Sequence, residues 1–532
     1  MLMSAADYRE SLRRLRPTVY VDGRQVDSVA DEPLLAPGVN AIAKSYDYAL
    51  AESTQTLFRF DSPDFDGPIN RMMAIPRNSA DLLNKLEAVR VLCQETGCAQ
   101  RYLGGDALTA LFHGTHVIDA TTGSRYHERV RAYIDHVYSA DLTLGIAMTD
   151  AKGNRLLRPS QQAVPDSYVH IVERRADGIV ISGTKAIVTS APYVHELLIM
   201  PCRNMTEPDR DFAVCCAVPV DVKGLTIVAR PAGRPGEAAA KFSSRYGQST
   251  AVCMFERVFV PWARVFLAGE WQHVGDILHD YTSQHRHTCI AARAGFGDLL
   301  IGAGALVTEA NGLDLDRAHG TRDAMVELIK IVEGFYACGV AASVYATQSE
   351  SGSVTPDPVF ANIGKLLMAT QIYDMHRLAH QVSGGMIVAL PGPEEDHNPA
   401  TAGRLSEVLI ARSDVPYEKR IEVARFLEDL TASYQAGWYS LISLHGGGSP
   451  EAMKHEIYRS YPIGNKVDLV ERLLDRDVLA DATRKITRNR QPGRCCAVGC
   501  FAPDTPRMVA LPTPARKASD ESSDSESPVA AD

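Results

Sequence analysis

The sequence predicts an α+β protein with helices at both ends and a β domain between them. Two observations carry this prediction. Apolar residues recur at helical spacing from about residue 80 to 145 and again after about 275. Between them, residues 150–270 break into short, β-rich segments bounded by Gly or Pro. The predicted divisions are a mainly helical N-terminal domain (1–149), a central β-barrel or sandwich domain (150–272), a C-terminal helical bundle (273–485) and a flexible tail (486–532).

Composition excludes several classes of function. The formal net charge is −10 and no long basic block occurs, which argues against nucleic-acid binding. The sequence contains no run of 18 apolar residues, so we expect no membrane span. The N-terminus has no apolar segment of signal-peptide length. Eleven cysteines are scattered without the spacing of a disulfide framework. We therefore expect a cytoplasmic protein with free thiols.

The N-terminal region opens with a helix and a hairpin. Ser4 and Asp7 have the spacing of a capping box, and Pro17 ends the predicted helix. The pair Asp22-Gly23 predicts a tight hairpin turn. Further along, "DLLNKLEAVRVL" has the apolar spacing of an amphipathic helix.

The central region is predicted to form β-strands. "YVHIVERRADGIVISGTKAIVT" alternates in hydropathy, and its Asp177-Gly178 pair predicts a second hairpin turn. "ELLIMP", "FAVCCAVPV", "GLTIVARP" and "VCMFERVFVP" are the other predicted strands.

The C-terminal helices are apolar around much of their circumference. "AMVELIKIVEGFYACGVAASVYA" and "FANIGKLLMATQIYDMHRLAHQV" are examples, and they favour a buried bundle or an oligomer core. From about residue 505 the chain is rich in Pro, Ser and acidic residues, which predicts disorder. The cysteines of "CCAVGC" (495–500) lack metal-ligand spacing and are interpreted as incidental thiols.

Two stretches offer hydroxyl groups at strand ends. "GIAMTDAKGNR" contains Met148 and Thr149, and "SGTKAIVTSAP" contains Thr189 and Ser190. Their hydroxyl and backbone N–H groups could bind the edge of a planar ligand. The alternative for the first is a simple turn, and for the second the ordinary β-propensity of Thr.

Together these stretches resemble the flavin site of the acyl-CoA dehydrogenases. "AMTDAKGNR" resembles their "AMTEP" loop, "GTKAIVT" their "GxKxWIT" strand, and "FERVFVPWARVF" the segment that closes their β domain. "QVSGGMI" resembles the turn with which a neighbouring subunit contacts the flavin nucleotide. The resemblance implies that Ser383, Gly384 and Gly385 bind FAD across a subunit interface.

Longer stretches resemble one branch more closely. "TDAKGNRLLRPSQQAVPDSYVHIVERRADGIVISGTKA", "HRHTCIAARAGFGDLLIGA" and "LEDLTASYQAGWYSLISLHGGGSPEA" resemble the 4-hydroxyphenylacetate 3-hydroxylase family over roughly residues 5–480. Its two arms are reduced-flavin monooxygenases and 4-hydroxybutyryl-CoA dehydratase with vinylacetyl-CoA isomerase, the second being nearer. The resemblance implies an acyl-CoA dehydrogenase-like fold, FAD, a small-molecule substrate and a homodimer or homotetramer. In the monooxygenase arm a separate reductase supplies reduced FAD.

The dehydratase arm also binds a four-iron cluster, and half of its ligands are missing here. Cys98 and His285 match two ligand positions, but Tyr102 and Ala292 replace the other two cysteines. Each anchored iron needs a thiolate or imidazole donor. Cys93 and Cys289 are nearby but have the wrong offsets. We expect no iron–sulfur cluster, and the His-rich "QHRHTC" has no partner motif for zinc.

The acid–base groups of the dehydratase are altered too. Ile442, Cys289 and Arg293 replace a glutamate, a tyrosine and a lysine, and Thr250 stands near a further glutamate position. The monooxygenase arm has an Arg and a Tyr where Cys98 and Tyr102 stand. The "CQETGCAQRY" stretch is therefore interpreted as a pocket wall at a former cluster site. The predicted substrate pocket comprises Cys98, Gln100, Cys289, Arg293 and Ile442, with Tyr102 and His285 as catalytic candidates.

Three functions remain open from sequence. The first is a flavin-dependent monooxygenase fed by a reductase, acting on an organic substrate of secondary metabolism. The second is a non-redox isomerase or cyclase that folds a polyene- or polyketide-like substrate and has lost the cluster, with or without the flavin. The third is a catalytically inactive structural homologue. For Tyr102 itself, the alternative to a site role is packing.

Overall fold

The computed structural model describes residues 2–234 and 240–474. The predicted disorder of the tail and the "CCAVGC" cysteines lie outside these residues. The described chain forms one compact unit, so the division into three domains stays a prediction.

Six helices occupy the N-terminal region, and the last three lie within the stretch of helical apolar spacing. The capping box of the first is confirmed, because Ser4 accepts from the backbone N–H of Asp7 and the Asp7 carboxylate accepts from that of Ser4. The helices are α1 (Ala5–Arg14), α2 (Ala36–Leu50), α3 (Gln55–Phe58), α4 (Ser79–Thr96), α5 (Tyr102–Thr122) and α6 (Tyr126–Ser139).

The strands form two main sheets and two small ribbons. They are β1 (Thr18–Val21), β2 (Arg24–Gln25), β3 (Arg59–Asp61), β4 (Pro68–Asn70), β5 (Leu144–Ala147), β6 (His170–Arg174), β7 (Gly178–Thr189), β8 (Glu196–Ile199), β9 (Val214–Pro219), β10 (Leu225–Ala229), β11 (Thr250–Pro261), β12 (Val265–Ala268), β13 (Thr347–Gln348) and β14 (Val354–Thr355). The six-stranded sheet has the order β2-β1-β10-β11-β7-β6, and the four-stranded sheet has the order β12-β9-β8-β5. Strand β1 pairs parallel to β10, so the N-terminal hairpin completes the larger sheet.

The two predicted hairpin turns differ in outcome. Asp22 and Gly23 have φ angles of 47° and 80°, and this two-residue turn is confirmed. The second hairpin is present, but its connection spans residues 175–177, and Gly178 is already the first residue of β7. The prediction of an Asp177-Gly178 turn was therefore wrong in detail. Gly178 is needed for a close approach instead, since a Cβ there would lie 2.2 Å from the Val260 carbonyl oxygen.

Eight helices follow the sheets between residues 274 and 473. They are α7 (Val274–Ala310), α8 (His319–Val344), α9 (Pro358–Ser383), α10 (Ala402–Val408), α11 (Tyr417–Ala432), α12 (Tyr434–His445), α13 (Pro450–Ser460) and α14 (Ile463–Leu473). Helix α7 contacts α4, α5, α8, α9 and α11. The segment Trp271–Ala310, which includes it, is the one described segment long and apolar enough to span a membrane, but 67% of its most apolar window is buried inside the protein. Its packing is that of a core helix.

The core has three large apolar clusters. One joins the N-terminal helices to α7, one lies around the sheets and α1–α2, and one fills the C-terminal bundle. The bundle also leaves large apolar side chains exposed on α8, α9 and α12, including Val326, Tyr373 and Leu441.

The close approach at Gly178 predicts a stability difference between two glycines. Gly178→Ala forces a clash between strands and should lower the free energy of unfolding by about 1–3 kcal/mol. Gly334→Ala on α8, where a Cβ meets nothing within 4 Å, should raise it by about 0.5–1 kcal/mol. Urea unfolding followed by circular dichroism measures both. Equal effects would contradict the strand contact.

Candidate functional site

A buried lysine fixes the loop after β5. Lys185 of β7 donates to the carbonyl oxygens of Met148 (2.9 Å) and Met200 (2.7 Å), and its ammonium lies 2.7 Å from Asp150. The Ala186 N–H donates to the Thr149 carbonyl oxygen at 2.8 Å. Half-buried Met148 and Thr149 are thereby held beside β7. Lys185 was not selected from the sequence, although Asp150 and Lys185 both lie within the two quoted motifs.

The end of β7 is linked to the helical wall through one glutamine. Thr189 is the last residue of β7, and Ser190 follows in the left-handed region with φ 62°. The Ser190 hydroxyl donates to Gln248 Oε1 at 3.2 Å, while Gln248 Nε2 donates to the Cys98 carbonyl oxygen. One of the predicted strand-end hydroxyls, that of Ser190, is therefore linked to the predicted pocket wall at Cys98.

The helical wall is formed where α4 passes into α5. Cys98 and Gln100 lie in the connection, and Tyr102 is the first residue of α5; all three are buried. Burial raises the pKa of Cys98 to about 11, although Arg293 acts against this, and burial raises that of Tyr102 well above its ordinary value. Both groups therefore keep their protons at neutral pH, and Tyr102 remains a hydrogen-bond donor.

Three predicted residues share one stripe of α7. His285, Cys289 and Arg293 are spaced by four residues, which places them on the same helix face. The intervening polar residues are engaged elsewhere: Arg286 donates to the Gly447 carbonyl oxygen at 2.9 Å, and His287 lies 2.7 Å from the Ser343 hydroxyl.

Asp106 of α5 links this stripe to the N-terminal helices. Its carboxylate accepts from Lys85 at 2.8 Å and from Thr288 at 2.7 Å, and it lies 3.8 Å from His285 Nδ1. Cys289 Sγ lies 3.5 Å from His285 Nε2. Sequence analysis did not select Asp106 or Lys85, because their contacts cross three helices.

The histidine and the cysteine shift each other's titration. Burial alone lowers the pKa of His285, but Cys289 and Asp106 outweigh it and raise that pKa to about 9. Burial alone raises the pKa of Cys289, but His285 lowers it below the ordinary thiol value. The pair therefore favours imidazolium and thiolate, in contrast to protonated Cys98 and Tyr102.

Arg293 is a buried cation, and two of its three guanidinium nitrogens have no hydrogen-bond partner. It is 3% exposed, its Nε and Nη1 donate no hydrogen bond, and within the described ranges it pairs with no Asp or Glu. It stacks over Phe296 and Tyr439, 5.4 and 5.5 Å from the ring centroids. The buried Tyr439 hydroxyl and Gln100 Oε1 also lack hydrogen-bond partners. Such orphaned polar atoms are typical of a ligand site.

Lys365 of α9 closes the other side of the stripe. It is fully buried and donates to the Ser443 carbonyl oxygen at 2.8 Å; burial lowers its pKa to about 8. Half-buried Ile442 precedes Ser443 on α12. A Cβ on Gly447 would lie 3.4 Å from His285 and 3.5 Å from Lys365, so this turn covers both. Sequence analysis missed Lys365, although a lysine within apolar "FANIGKLLMA" is a signal.

The turn at residues 383–385 lies on the surface. Ser383, the last residue of α9, is buried, and its carbonyl oxygen accepts from Asn311 at 2.9 Å. Gly384, with φ 72°, and Gly385 are exposed and line a surface pocket that contains none of the other predicted residues. In a single chain the turn is therefore not part of the site around Thr189 and Tyr102.

No metal site emerges from the described part of the chain. Residues 2–234 and 240–474 hold no group of three or more His, Cys, Asp or Glu placed to bind a metal ion. Ala292, at one expected ligand position, is buried and apolar. The absence of an iron–sulfur cluster stays a prediction.

Comparison with known proteins identifies the chain's relatives. The sequence profiles of the 4-hydroxyphenylacetate 3-hydroxylase N-terminal and C-terminal domains match residues 4–267 and 274–475. A 4-hydroxybutyryl-CoA dehydratase/vinylacetyl-CoA-Δ-isomerase of Clostridium aminobutyricum is 34% identical over 486 residues, covering 88% of this chain and 99% of its own. The oxygenase component of a Geobacillus 4-hydroxyphenylacetate 3-monooxygenase is 23% identical, covering 86% and 93%.

Solved structures show the same fold. An oxygen-tolerant archaeal 4-hydroxybutyryl-CoA dehydratase from N. maritimus superposes with a TM-score of 0.86 at 32% identity, covering 92% of this chain and 99% of its own. The oxygenase component of a 4-hydroxyphenylacetate 3-monooxygenase, complexed with FAD, gives a TM-score of 0.79 at 22% identity, covering 89% and 98%. The predicted fold class is confirmed.

The missing ligands predict that the protein purifies without iron. Anaerobic purification followed by iron and acid-labile sulfide analysis should give far less than one iron per chain, because Tyr102 and Ala292 supply no thiolate. Reconstitution with ferrous iron and sulfide should not change this. About four irons per chain would contradict the ligand argument.

Proposed function

The chain belongs to the 4-hydroxyphenylacetate 3-hydroxylase family, and we propose that it is a flavin-dependent oxidoreductase, a reduced-flavin monooxygenase of an organic substrate. The observation that carries this proposal is the link from Ser190 through Gln248 to Cys98, which joins the strand end to the helical wall. Secondary-metabolite enzymes occur among the relatives, including a pyoverdin chromophore biosynthetic protein.

The residues at this junction fit a flavin ring. Met148 and Thr149 follow β5. Thr189 is the last residue of β7, and Ser190 follows it. The unpartnered Gln100 Oε1 lies in the facing helical wall. These groups would hold the polar edge of the ring, while the exposed turn at residues 383–385 of a second copy would bind the nucleotide. When bound and reduced, FAD would supply the activation of molecular oxygen.

The chain's own groups orient the substrate and exclude water. Tyr102 keeps its proton at neutral pH and can donate a hydrogen bond or a proton to a substrate oxygen. His285, held protonated beside Asp106 and Cys289, supplies a second donor. Cys98 and Ile442 form a less polar part of the wall. Cys98 is buried and Ile442 is half-buried, which limits the access of solvent.

The proposal includes partners and a compartment. A separate reductase would supply reduced FAD, and the protein would act in the cytoplasm. The exposed turn at residues 383–385 and the exposed apolar side chains of the bundle support a homodimer or homotetramer. Sedimentation velocity at micromolar concentration tests the assembly, and a clean monomer would contradict it.

A non-redox isomerase or cyclase is the second candidate. It is favoured by the relationship to a dehydratase/isomerase and by the His285–Cys289 pair, which could move a proton without a flavin. The absorbance of the purified protein separates the candidates. A yellow protein, or one that becomes yellow with FAD, supports the monooxygenase; a protein that remains colourless supports the isomerase or cyclase.

Loss of the Thr189 hydroxyl should weaken flavin binding. Thr189→Val keeps the shape and removes one hydrogen bond, which costs about 0.5–1.5 kcal/mol and raises the FAD dissociation constant about 2- to 10-fold. Thr184→Val, earlier on the same strand, is the matched control and should leave the constant unchanged. Fluorescence titration with FAD measures both. If Thr189→Val behaves like the control, Thr189 does not contact the flavin.

Loss of the Tyr102 hydroxyl should impair turnover more than stability. Tyr102→Phe should lower kcat about 10²-fold or more if the hydroxyl donates a proton. Tyr138→Phe, which removes a buried hydroxyl bonded to the Met73 carbonyl oxygen, should leave kcat unchanged. Turnover of a phenol accepted by the wild type is assayed with reduced FAD and a reductase. Unchanged kcat in Tyr102→Phe would leave Tyr102 with a packing role only.

A further inference from the structure

Arg293 forms no ion pair with an Asp or Glu in the part of the chain that the structure describes. The two buried carboxylates of its surroundings are already bonded: Asp106 accepts from Lys85 and Thr288, and Asp429 accepts from the backbone N–H groups of residues 242 and 243 and from Ser243. A buried guanidinium whose donors stay unpaired is costly, because its desolvation is not compensated. No carboxylate of residues 2–234 and 240–474 fills this role, which leaves it to the anionic group of a ligand.

The neighbourhood of Arg293 carries an excess of positive charge. Buried Lys365 and Arg286 bond only to neutral oxygens, those of Ser443 for the lysine and of Gly447 and Asn362 for the arginine. His285 adds a further cation on the same helix face. Asp106, which lies 3.8 Å from His285, and Cys289 balance part of this charge. An anionic ligand would complete the site electrostatically.

The unpaired atoms also indicate the kind of anion. A guanidinium binds a planar carboxylate through two parallel hydrogen bonds, and the orphaned Tyr439 hydroxyl offers a further donor. The remaining wall is aromatic and aliphatic, with Phe296 and Ala292 buried beside Arg293. Such a wall suits a carbon skeleton better than a hydrated inorganic ion.

We propose that Arg293 binds the carboxylate of an organic-acid substrate, whose carbon skeleton then lies along the α7 stripe toward Cys289. This inference rests on the proposed function, since it names the substrate class for the same site. Cys289 lies one helical turn from Arg293 and is partly exposed, so an alkylating reagent that enters the site can report on it.

The test compares an anionic and a neutral reagent on the same thiol. The full chain, without flavin, is treated with iodoacetate or iodoacetamide at pH 7, and alkylation of each cysteine is measured by peptide mass spectrometry. The iodoacetate-to-iodoacetamide rate ratio at Cys289 should exceed the ratio at Cys338, a partly exposed thiol on α8, about tenfold. Equal ratios, or no reaction of Cys289 with either reagent, would overturn the proposal.

Variants assign the preference to Arg293. Arg293→Gln should reduce the Cys289 ratio to within about twofold of the Cys338 ratio, and Arg293→Lys should retain part of it. Arg322→Gln on α8 removes the same charge at a half-exposed position and should change nothing. An unchanged ratio in Arg293→Gln would overturn the proposal.

Wild-type measurements keep the proposal testable if the variants do not fold. Phenylacetate should slow alkylation of Cys289 by iodoacetamide, whereas neutral phenylacetamide should not, and equal protection would count against a carboxylate site.

Saturation with FAD separates the two possible anions, a substrate carboxylate and the flavin. An iodoacetate preference that persists supports a substrate carboxylate, and one that FAD abolishes overturns it in favour of the flavin. Failure of FAD to bind at all would sink the proposed function but leave this preference intact.

Discussion

The buried carboxylate of Asp106 is the interaction on which the rest of the site depends. It is fully buried on α5 and binds Lys85 of α4 together with Thr288 of α7. These contacts hold the central helix of the bundle against the N-terminal helices. They also place a negative charge 3.8 Å from His285, which favours the imidazolium. Removing one partner of such a network leaves an uncompensated buried charge, at a cost of about 3–5 kcal/mol.

The charges of the site follow from this anchor. His285 becomes a cation beside Asp106, and it lowers the pKa of Cys289 on the next turn of the same helix. Arg293 and Lys365 add two buried cations with no carboxylate within bonding distance among the described residues. The site thus carries positive charge on α7 and α9 and protonated donors at the start of α5. A flavin and an acidic substrate are both compatible with that distribution.

Sequence patterns predicted what local physics determines. The Ser4–Asp7 capping box and the Asp22-Gly23 turn each depend on a few adjacent residues. The turn at Asp177-Gly178 was misplaced. Gly178 is the first residue of β7, and it packs against the Val260 carbonyl oxygen of β11. The family motifs led to Thr189, Tyr102 and the residues of the α7 stripe.

The groups that sequence patterns missed act over long separations. Asp106, Lys185, Gln248 and Lys365 are single polar residues whose partners are often far along the chain, from 15 to more than 180 residues away. Their spacing in the sequence carries no periodic signal. Only the packed structure shows that Gln248 joins the strand end to the helical wall, or that Arg293 pairs with no carboxylate of the described residues.

Equilibrium titration of the purified chain with FAD tests the central claim most directly. The claim is that the ends of β5 and β7 and the start of α5 enclose one flavin ring. It predicts saturable changes in flavin absorbance and fluorescence with one FAD per chain. A folded protein that leaves the flavin spectrum unchanged at every concentration would contradict it.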